Sequence, residues 1–307
     1  MAQTAQAPKT DKLGAALNSV LAALGLTSFK IVVGVLTGSL GILAEAAHSA
    51  LDLLAAIFTF LAVRVADRPA DKSHPYGHGK VENLSALIET LLLLATCAWI
   101  IYEATRRLIH GGVVVEVNFW SFAVMITSIV VDVSRSRMLH RAAKEHNSQA
   151  LEADALHFQT DIWSSAVVVL GLICVKAADL NPQFGWLRKA DAVAALGVAA
   201  IVIGVIAKLG MRTVQALVDA APEGYAEKIA AAAEQVPGVV DCHDVRVRHS
   251  GPCVFADIHV TVDGNMPLRE AHAMTEQIEE AVRAVLPGVD LVVHPEPAET
   301  ESKPKRP

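Results

Sequence analysis

Apolar residues arrive in six long runs, approximately 14–39, 41–63, 84–108, 113–134, 155–178 and 188–211, with short polar stretches between them. A helix needs roughly 20 residues to cross a hydrocarbon core of about 30 Å, so each run predicts a membrane span. The first follows a polar opening and passes into the second through Thr37-Gly38-Ser39 without an Ala-x-Ala pattern, which reads as a membrane helix and not a removed signal peptide. After about residue 220 the period changes. Ala226 to Val236 reads as an Ala-rich helix closed by Pro237-Gly238, and Val239 to Arg248 alternates as a strand. Ser250-Gly251-Pro252 then turns the chain into a second strand, Val254 to Val262. Pro267 to Leu286 is a second helix stopped by Pro287-Gly288, and Val289 to His294 is a last strand. This order predicts a small open sheet with both helices on one face. The expected organisation is a polar tail over 1–12, a six-helix transmembrane domain over 13–219, an α+β domain over 220–296 and a disordered tail over 297–307.

Composition sharpens the picture. Hydrophobic residues make up 53% of the chain and charged residues 19%, which excludes an ordinary soluble globular protein. Up to Asp219 there are 18 Lys/Arg against 17 Asp/Glu, and beyond it 8 against 15. This acidic balance argues against a nucleic-acid partner. With the N-terminus inside, the loops on that side collect ten basic residues (Lys9, Lys12, Arg64, Arg68, Lys72, Lys80, Arg135, Arg137, Arg141 and Lys144). The opposite side collects five, Arg106, Arg107, Lys176, Arg188 and Lys189, so both termini are expected in the cytoplasm. Cys97, Cys174, Cys242 and Cys253 form no Cys-x-x-Cys pair or disulfide framework, and Cys242 and Cys253 read as small core residues.

Ionisable residues inside a span are costly and therefore point to function. The second run holds Glu45-x-x-His48-x-x-x-Asp52 and the fifth holds Asp154-x-x-His157-x-x-x-Asp161, 109 positions later. Residues four apart share a helix face, so each span presents an imidazole beside a carboxylate. One such pair is explained as readily by a packing hydrogen bond. Two copies facing each other supply two nitrogens and two oxygens, a tetrahedral donor set suited to Zn2+. Glu45 and Asp154, one turn earlier, are candidates to line the access route. In the loop after the second run, Asp71, His74 and His78 with Gly77 and Gly79 between and beside them can converge on a divalent cation. The C-terminal region contains His243, His249, His259, His272 and His294, the last followed by Glu296. Alternation brings His243 toward His259, and His294 and Glu296 lie at the end of the last strand. No His-Glu-x-x-His, phosphate-binding Gly-Lys-Ser/Thr, Gly-x-Ser-x-Gly or Asp-Lys-Thr-Gly motif is present, so nothing indicates ATP as the energy source.

HSALD at 48–52, HPYGHGKVE at 74–82, HFQTD at 157–161, HDVRVRHSGP at 243–252 and VVHPEP at 292–297 resemble the cation diffusion facilitator family, its bacterial zinc/iron efflux branch in particular. The resemblance covers about Leu13 to Glu296. It implies a homodimeric divalent-metal/proton antiporter, not an enzyme, in a bacterial inner membrane. Six transmembrane helices would be followed by a cytoplasmic α+β, ferredoxin-like domain similar to metallochaperones. Carried over by position, it implies a transport site of His48, Asp52, His157 and Asp161, and a loop site of Asp71, His74 and His78. It also implies regulatory cytoplasmic sites at His243, His259, His272, His294 and Glu296, and a charge interlock between Lys80 and Asp219. Zn2+ is the implied cargo and regulator, with Cd2+, Fe2+ and Co2+ as further candidates. Two departures stand out. His48 occupies a position where some iron-accepting members carry Asp, which moves the donor set toward Zn2+, and Pro295-Glu296 replaces a more usual Gln-Asp. Two other readings compete: a membrane metal sensor that does not transport, and a di-metal oxidase built on Glu45-x-x-His48 with Glu89 or Glu103 as a bridging carboxylate.

Overall fold

The computed structural model describes residues 9–110, 119–180 and 190–298. The chain divides into two compact units that part between Val214 and Gln215. Arg188 and Lys189, two of the charges used to orient the chain, and positions 299–307 of the expected tail lie outside the described residues.

Among the described residues the first unit holds six long helices: α1 (Lys9–Thr37), α2 (Leu40–Ala66), α3 (Lys80–His110), α4 (Phe119–His146), α5 (Gln149–Leu180) and α6 (Ala190–Leu217). α1 packs on α2 and α4, α5 packs on α4, α3 and α2, and α6 meets α3 where Val202 and Ile206 bury Leu93 and Cys97. The polarity of this unit is inverted. Leu21, Leu24, Val35, Leu36, Leu51 and Trp99 are exposed, whereas Asp52, Glu82, Glu89, Asp132, Arg135, Asp154 and His157 are buried. Water would penalise both halves of that arrangement, and a bilayer favours both. Four stretches, Lys12–Thr37, Glu45–Ala66, Lys80–Arg106 and Leu196–Leu217, are long and apolar enough to cross a membrane on composition alone. The unit is a helical transmembrane domain, with α4 and α5 matching its other helices in length but carrying charge near the middle.

Two boundaries differ from expectation. α1 begins at Lys9, inside the expected tail, and α4 and α5 nearly abut, whereas the apolar runs left a gap over 135–154. Helix continues through that gap because backbone hydrogen bonding does not require apolar side chains once the helices extend past the hydrocarbon. The break is local: Asn147 adopts φ +50°, and the Ser148 hydroxyl accepts from the Leu151 N–H at 3.4 Å. Here Ala15, Ala16, Ala142, Ala143, Ala150 and Ala155 are buried around Phe158, small residues that let helices approach closely.

The second unit runs α7 (Tyr225–Glu234), β1 (Asp241–Ser250), β2 (Cys253–Val262), α8 (Leu268–Val285) and β3 (Val289–Pro297). β2 is the central strand, antiparallel to β1 and parallel to β3. The parallel pair requires a crossover, which α8 supplies. α7 and α8 pack on each other and on the sheet, burying Ile229, Met274, Ile278 and Val282 against Ile258, Val260 and Leu291. Gly238 takes φ +98°, and a Cβ there would meet the Met274 Cε at 2.5 Å, which explains the Gly after Pro237. Cys253 is exposed, in contrast to the core role expected from its residue type, because it opens β2 at the turn. Ile258 is fully buried at the centre of this small core. Ile258→Ala is expected to cost about 2–5 kcal/mol in a denaturant titration of the C-terminal unit's transition.

Candidate metal centre

α2 and α5 bring the two His-Asp pairs face to face. Within α2, His48 Nε2 lies 4.0 Å from Asp52 Oδ1, and within α5, His157 Nε2 lies 3.6 Å from Asp161 Oδ2. Between the helices, His157 Nε2 approaches Asp52 Oδ1 at 3.3 Å. One ligand atom each from His48, Asp52 and Asp161 all fall within 4.8 Å of one another. Metal–ligand bonds of 2.0–2.2 Å in a tetrahedron place donors about 3.3–3.6 Å apart, so small side-chain movements bring this set to coordination distance. Access is graded across the cluster: the His48 side chain is 48% exposed, Asp161 17%, Asp52 12% and His157 9%.

The two carboxylates one turn before each His occupy different settings. Glu45 is exposed, 3.4 Å from the buried Lys30 ammonium, which also donates to Ser49 Oγ at 2.7 Å. Asp154 is buried and accepts from Ser19 Oγ at 3.3 Å. Ser19 in turn accepts from Arg135 Nη2 at 3.0 Å, and that guanidinium lies 3.5 Å above the Phe158 ring. Asp154 thus faces a buried cation, a different environment from the open one of Glu45. Arg135 also pairs with Asp132 one turn earlier on α4 at 3.6 Å, whereas its contacts with Ser19 and Phe158 cross to α1 and α5 and follow from no helix spacing. Glu103 pairs with Arg106 at 3.7 Å on its own helix, while Glu89 of α3 points at His157.

In the α2–α3 loop, Asp71 gathers the chain. Its Oδ1 accepts from the Ser73 N–H and hydroxyl at 2.8 Å each and from the His74 N–H at 2.7 Å. The Ser73 hydroxyl and the His74 backbone hold the Asp71 carboxyl well below the usual carboxylate range. His74 Nδ1 is 3.4 Å and His78 Nε2 3.5 Å from Asp71, with the two rings 4.3 Å apart. Gly77 at φ +78° donates to the His74 carbonyl and closes the turn that turns His78 back toward Asp71.

In the sheet, register decides which histidines meet. His243 pairs with His259, and His259 with His294, so the three form a row across β1, β2 and β3. Glu296, two residues beyond His294 on the same face, bridges with both oxygens: Oε1 lies 2.9 Å from His259 Nδ1 and Oε2 3.3 Å from His243 Nε2. The longer Glu arm spans a strand to do this. The His259 hydrogen bond, then its charge and that of His243, holds Glu296 below its ordinary pKa. His294 Nε2 is 3.8 Å from Glu296, and the His259 and His294 rings are 4.8 Å apart. Asp241, which sequence pattern did not suggest, holds His243 Nδ1 at 3.0 Å. His272 is not in this group; it is exposed on α8 with Nε2 3.8 Å from Glu276. His249 packs edge-on against Tyr225. Burial pushes the Cys242 thiol up to about 11, so it has little thiolate to offer a metal. Asp219 of this unit lies 3.8 Å from Arg248, and Lys80 opens α3 in the other unit.

Comparison with known proteins places this geometry in context. Residues 16–218 match the family model described as the cation efflux transmembrane domain. Residues 221–298 match that of the cation efflux protein cytoplasmic domain. The cation-efflux pump FieF of Shewanella oneidensis is 33% identical over 302 residues, spanning 98% of this chain and 99% of that one. FieF of Salmonella arizonae is 32% identical over 288 residues, 92% of each chain. A solved nickel form of a MamM CTD variant is 30% identical over 25% of this chain and 100% of its own, with a TM-score of 0.25. Matched by both family models and by relatives along almost its full length, the chain is an integral membrane cation-efflux transporter of the cation diffusion facilitator family.

Proposed function

We propose that the protein exports Zn2+ from the bacterial cytoplasm across the inner membrane in exchange for protons, using His48, Asp52, His157 and Asp161 as the transport site. The observation that carries this reading is the gathering of His48, Asp52 and Asp161 within 4.8 Å of one another, with His157 Nε2 3.3 Å from Asp52 and 3.6 Å from Asp161, inside an apolar bundle. A mixed nitrogen and oxygen set favours Zn2+ over harder cations such as Mn2+, with Cd2+, Fe2+ and Co2+ as competing cargoes. Metal binds only to neutral imidazole and ionised carboxylate, so metal and protons compete for the same atoms. Zn2+ enters from the cytoplasmic side, displaces protons, and leaves when the bundle opens outward and protons return. The Asp71-His74-His78 loop and the His243-His259-Glu296 cluster, with His294 beside it, are further Zn2+ sites. In a homodimer with both termini cytoplasmic, zinc on the α+β domains biases the pair toward the transporting state.

The test is zinc uptake into proteoliposomes loaded with a zinc-sensitive dye. Flux is expected to follow an imposed pH gradient and to fall when an ionophore collapses it. Zinc flux indifferent to the gradient would remove proton exchange from the reading, and zinc binding without flux would favour a sensor.

A further inference from the structure

α3 contributes none of the proposed ligands, yet it sends one carboxylate to the site. Glu89 is 1% exposed, and its Oε1 lies 3.3 Å from Nδ1 of His157. The other ring nitrogen, Nε2, faces Asp52 at 3.3 Å and Asp161 at 3.6 Å. Glu89 Oε1 and His157 Nδ1 are both fully buried and neither makes a hydrogen bond among the described residues, so their 3.3 Å approach sets two unsatisfied polar atoms side by side, which a small rotation of either group would align. On the far side of the carboxylate, Oε2 accepts from the Thr59 hydroxyl of α2 at 3.4 Å.

We propose that Glu89 is a positioning residue that holds the proton of His157 on Nδ1 and so turns the Nε2 lone pair toward the transported metal. This rests on the transport-site reading above. A neutral imidazole has one donor and one acceptor nitrogen, and the hydrogen bond made by one fixes what the other offers. The torsion that swings a histidine ring is broad and roughly two-fold, so packing alone does not choose between its nitrogens. An ionised carboxylate, which only accepts, makes that choice when it lies on the Nδ1 side. Thr59 ties the carboxylate to α2, the helix that carries His48 and Asp52, so ligand orientation is shared among three helices. His157 is the most buried member of the quartet, where solvent is least able to correct a misdirected ring. Outer carboxylates of this kind change metal affinity about 10–100-fold when removed.

Zinc affinity of the full-length protein in detergent, measured by competition with a chromophoric chelator, tests the assignment. Glu89→Leu is expected to weaken binding about 10–100-fold, while Glu89→Gln, whose carbonyl still accepts from Nδ1, restores most of it. Nitrogen-15 spectra of histidine-labelled protein are expected to show the Nδ1–H form of His157 in the wild type and its loss in Glu89→Leu. If Glu89→Leu does not fold, Thr59→Val, which frees one side of the carboxylate, is expected to weaken binding in the same direction toward the lower end of that range. Wild-type affinity in these variants, or Glu89→Gln as weak as Glu89→Leu, overturns the proposal. If Asp161→Ala binds zinc as the wild type does, the transport-site reading fails instead, and the two failures are told apart.

Discussion

Asp161→Ala is expected to reduce zinc flux in proteoliposomes to the level of protein-free vesicles, a loss of more than about 100-fold. Loss of an outer partner costs about 10–100-fold in metal affinity, and removal of a coordinating oxygen exceeds that. In the proposed transport site, Asp161 is one of two carboxylates that would offset the charge of a divalent ion inside an apolar bundle. Without it the ion keeps two neutral imidazoles and one negative charge in a region where uncompensated charge is expensive. Its Oδ2 is also a neighbour of His157 Nε2 at 3.6 Å, so truncation leaves that ring nitrogen facing Asp52 alone across the helices. Asp161→Asn keeps the size and one acceptor oxygen but not the charge, and is expected to fall between the two. Flux above about a tenth of wild type in Asp161→Ala would exclude Asp161 as a ligand, since a lost ligand costs more than that outer-partner range allows.

The parts of the fold that follow from chain-local physics were legible in the sequence. Apolar length located the helices of the bundle, and the switch to alternation after residue 220 located the α+β order, because both signals sit in adjacent residues. Boundaries were misjudged where solvent changes along one helix: polar residues over 135–154 broke the apolar run but not the hydrogen-bonded backbone. The His-Asp pairs were legible because four-residue spacing on a helix is a contact. Glu89 entered the sequence reading only as a candidate bridging carboxylate of a di-metal oxidase, and its approach to His157 stayed hidden because that partner lies on a helix 68 positions on, a distance that no periodicity encodes. The sheet behaved likewise. Alternation suggested that His243 and His259 approach, but the reach of Glu296 to both depends on the parallel register of β3. His272 lies apart from that row, exposed on α8 beside Glu276, because residue type alone carries no information about which element a side chain shares.

Lys12→Met is expected to destabilise the bundle by about 3–5 kcal/mol, the range for removing one partner of a buried ion pair. Lys12 reads in the sequence as one more basic residue at the edge of a span, yet it is 4% exposed and bonded to the fully buried Glu82. Its ammonium also lies 3.2 Å from Asp67, and Glu82 accepts a further hydrogen bond from the Ser148 hydroxyl. Four helix ends meet in this network: the first turns of α1 and α3, the Asp67 cap of α2 and the Ser148 cap of α5. Removing the ammonium strands a carboxylate that has no water to solvate it, and the penalty comes from that stranded charge more than from the lost attraction. The double variant Lys12→Met with Glu82→Leu removes both charges and fills the space with apolar atoms. It is therefore expected to recover most of the loss, because burying a pair of ions costs desolvation that an apolar pair does not. Denaturant titrations in mild detergent, followed by helical circular dichroism, measure the cycle. Equal stability of wild type and Lys12→Met would mean that Glu82 is held by Ser148 alone. A double variant as weak as the single would locate the stabilisation in the geometry of the network, with its charges secondary.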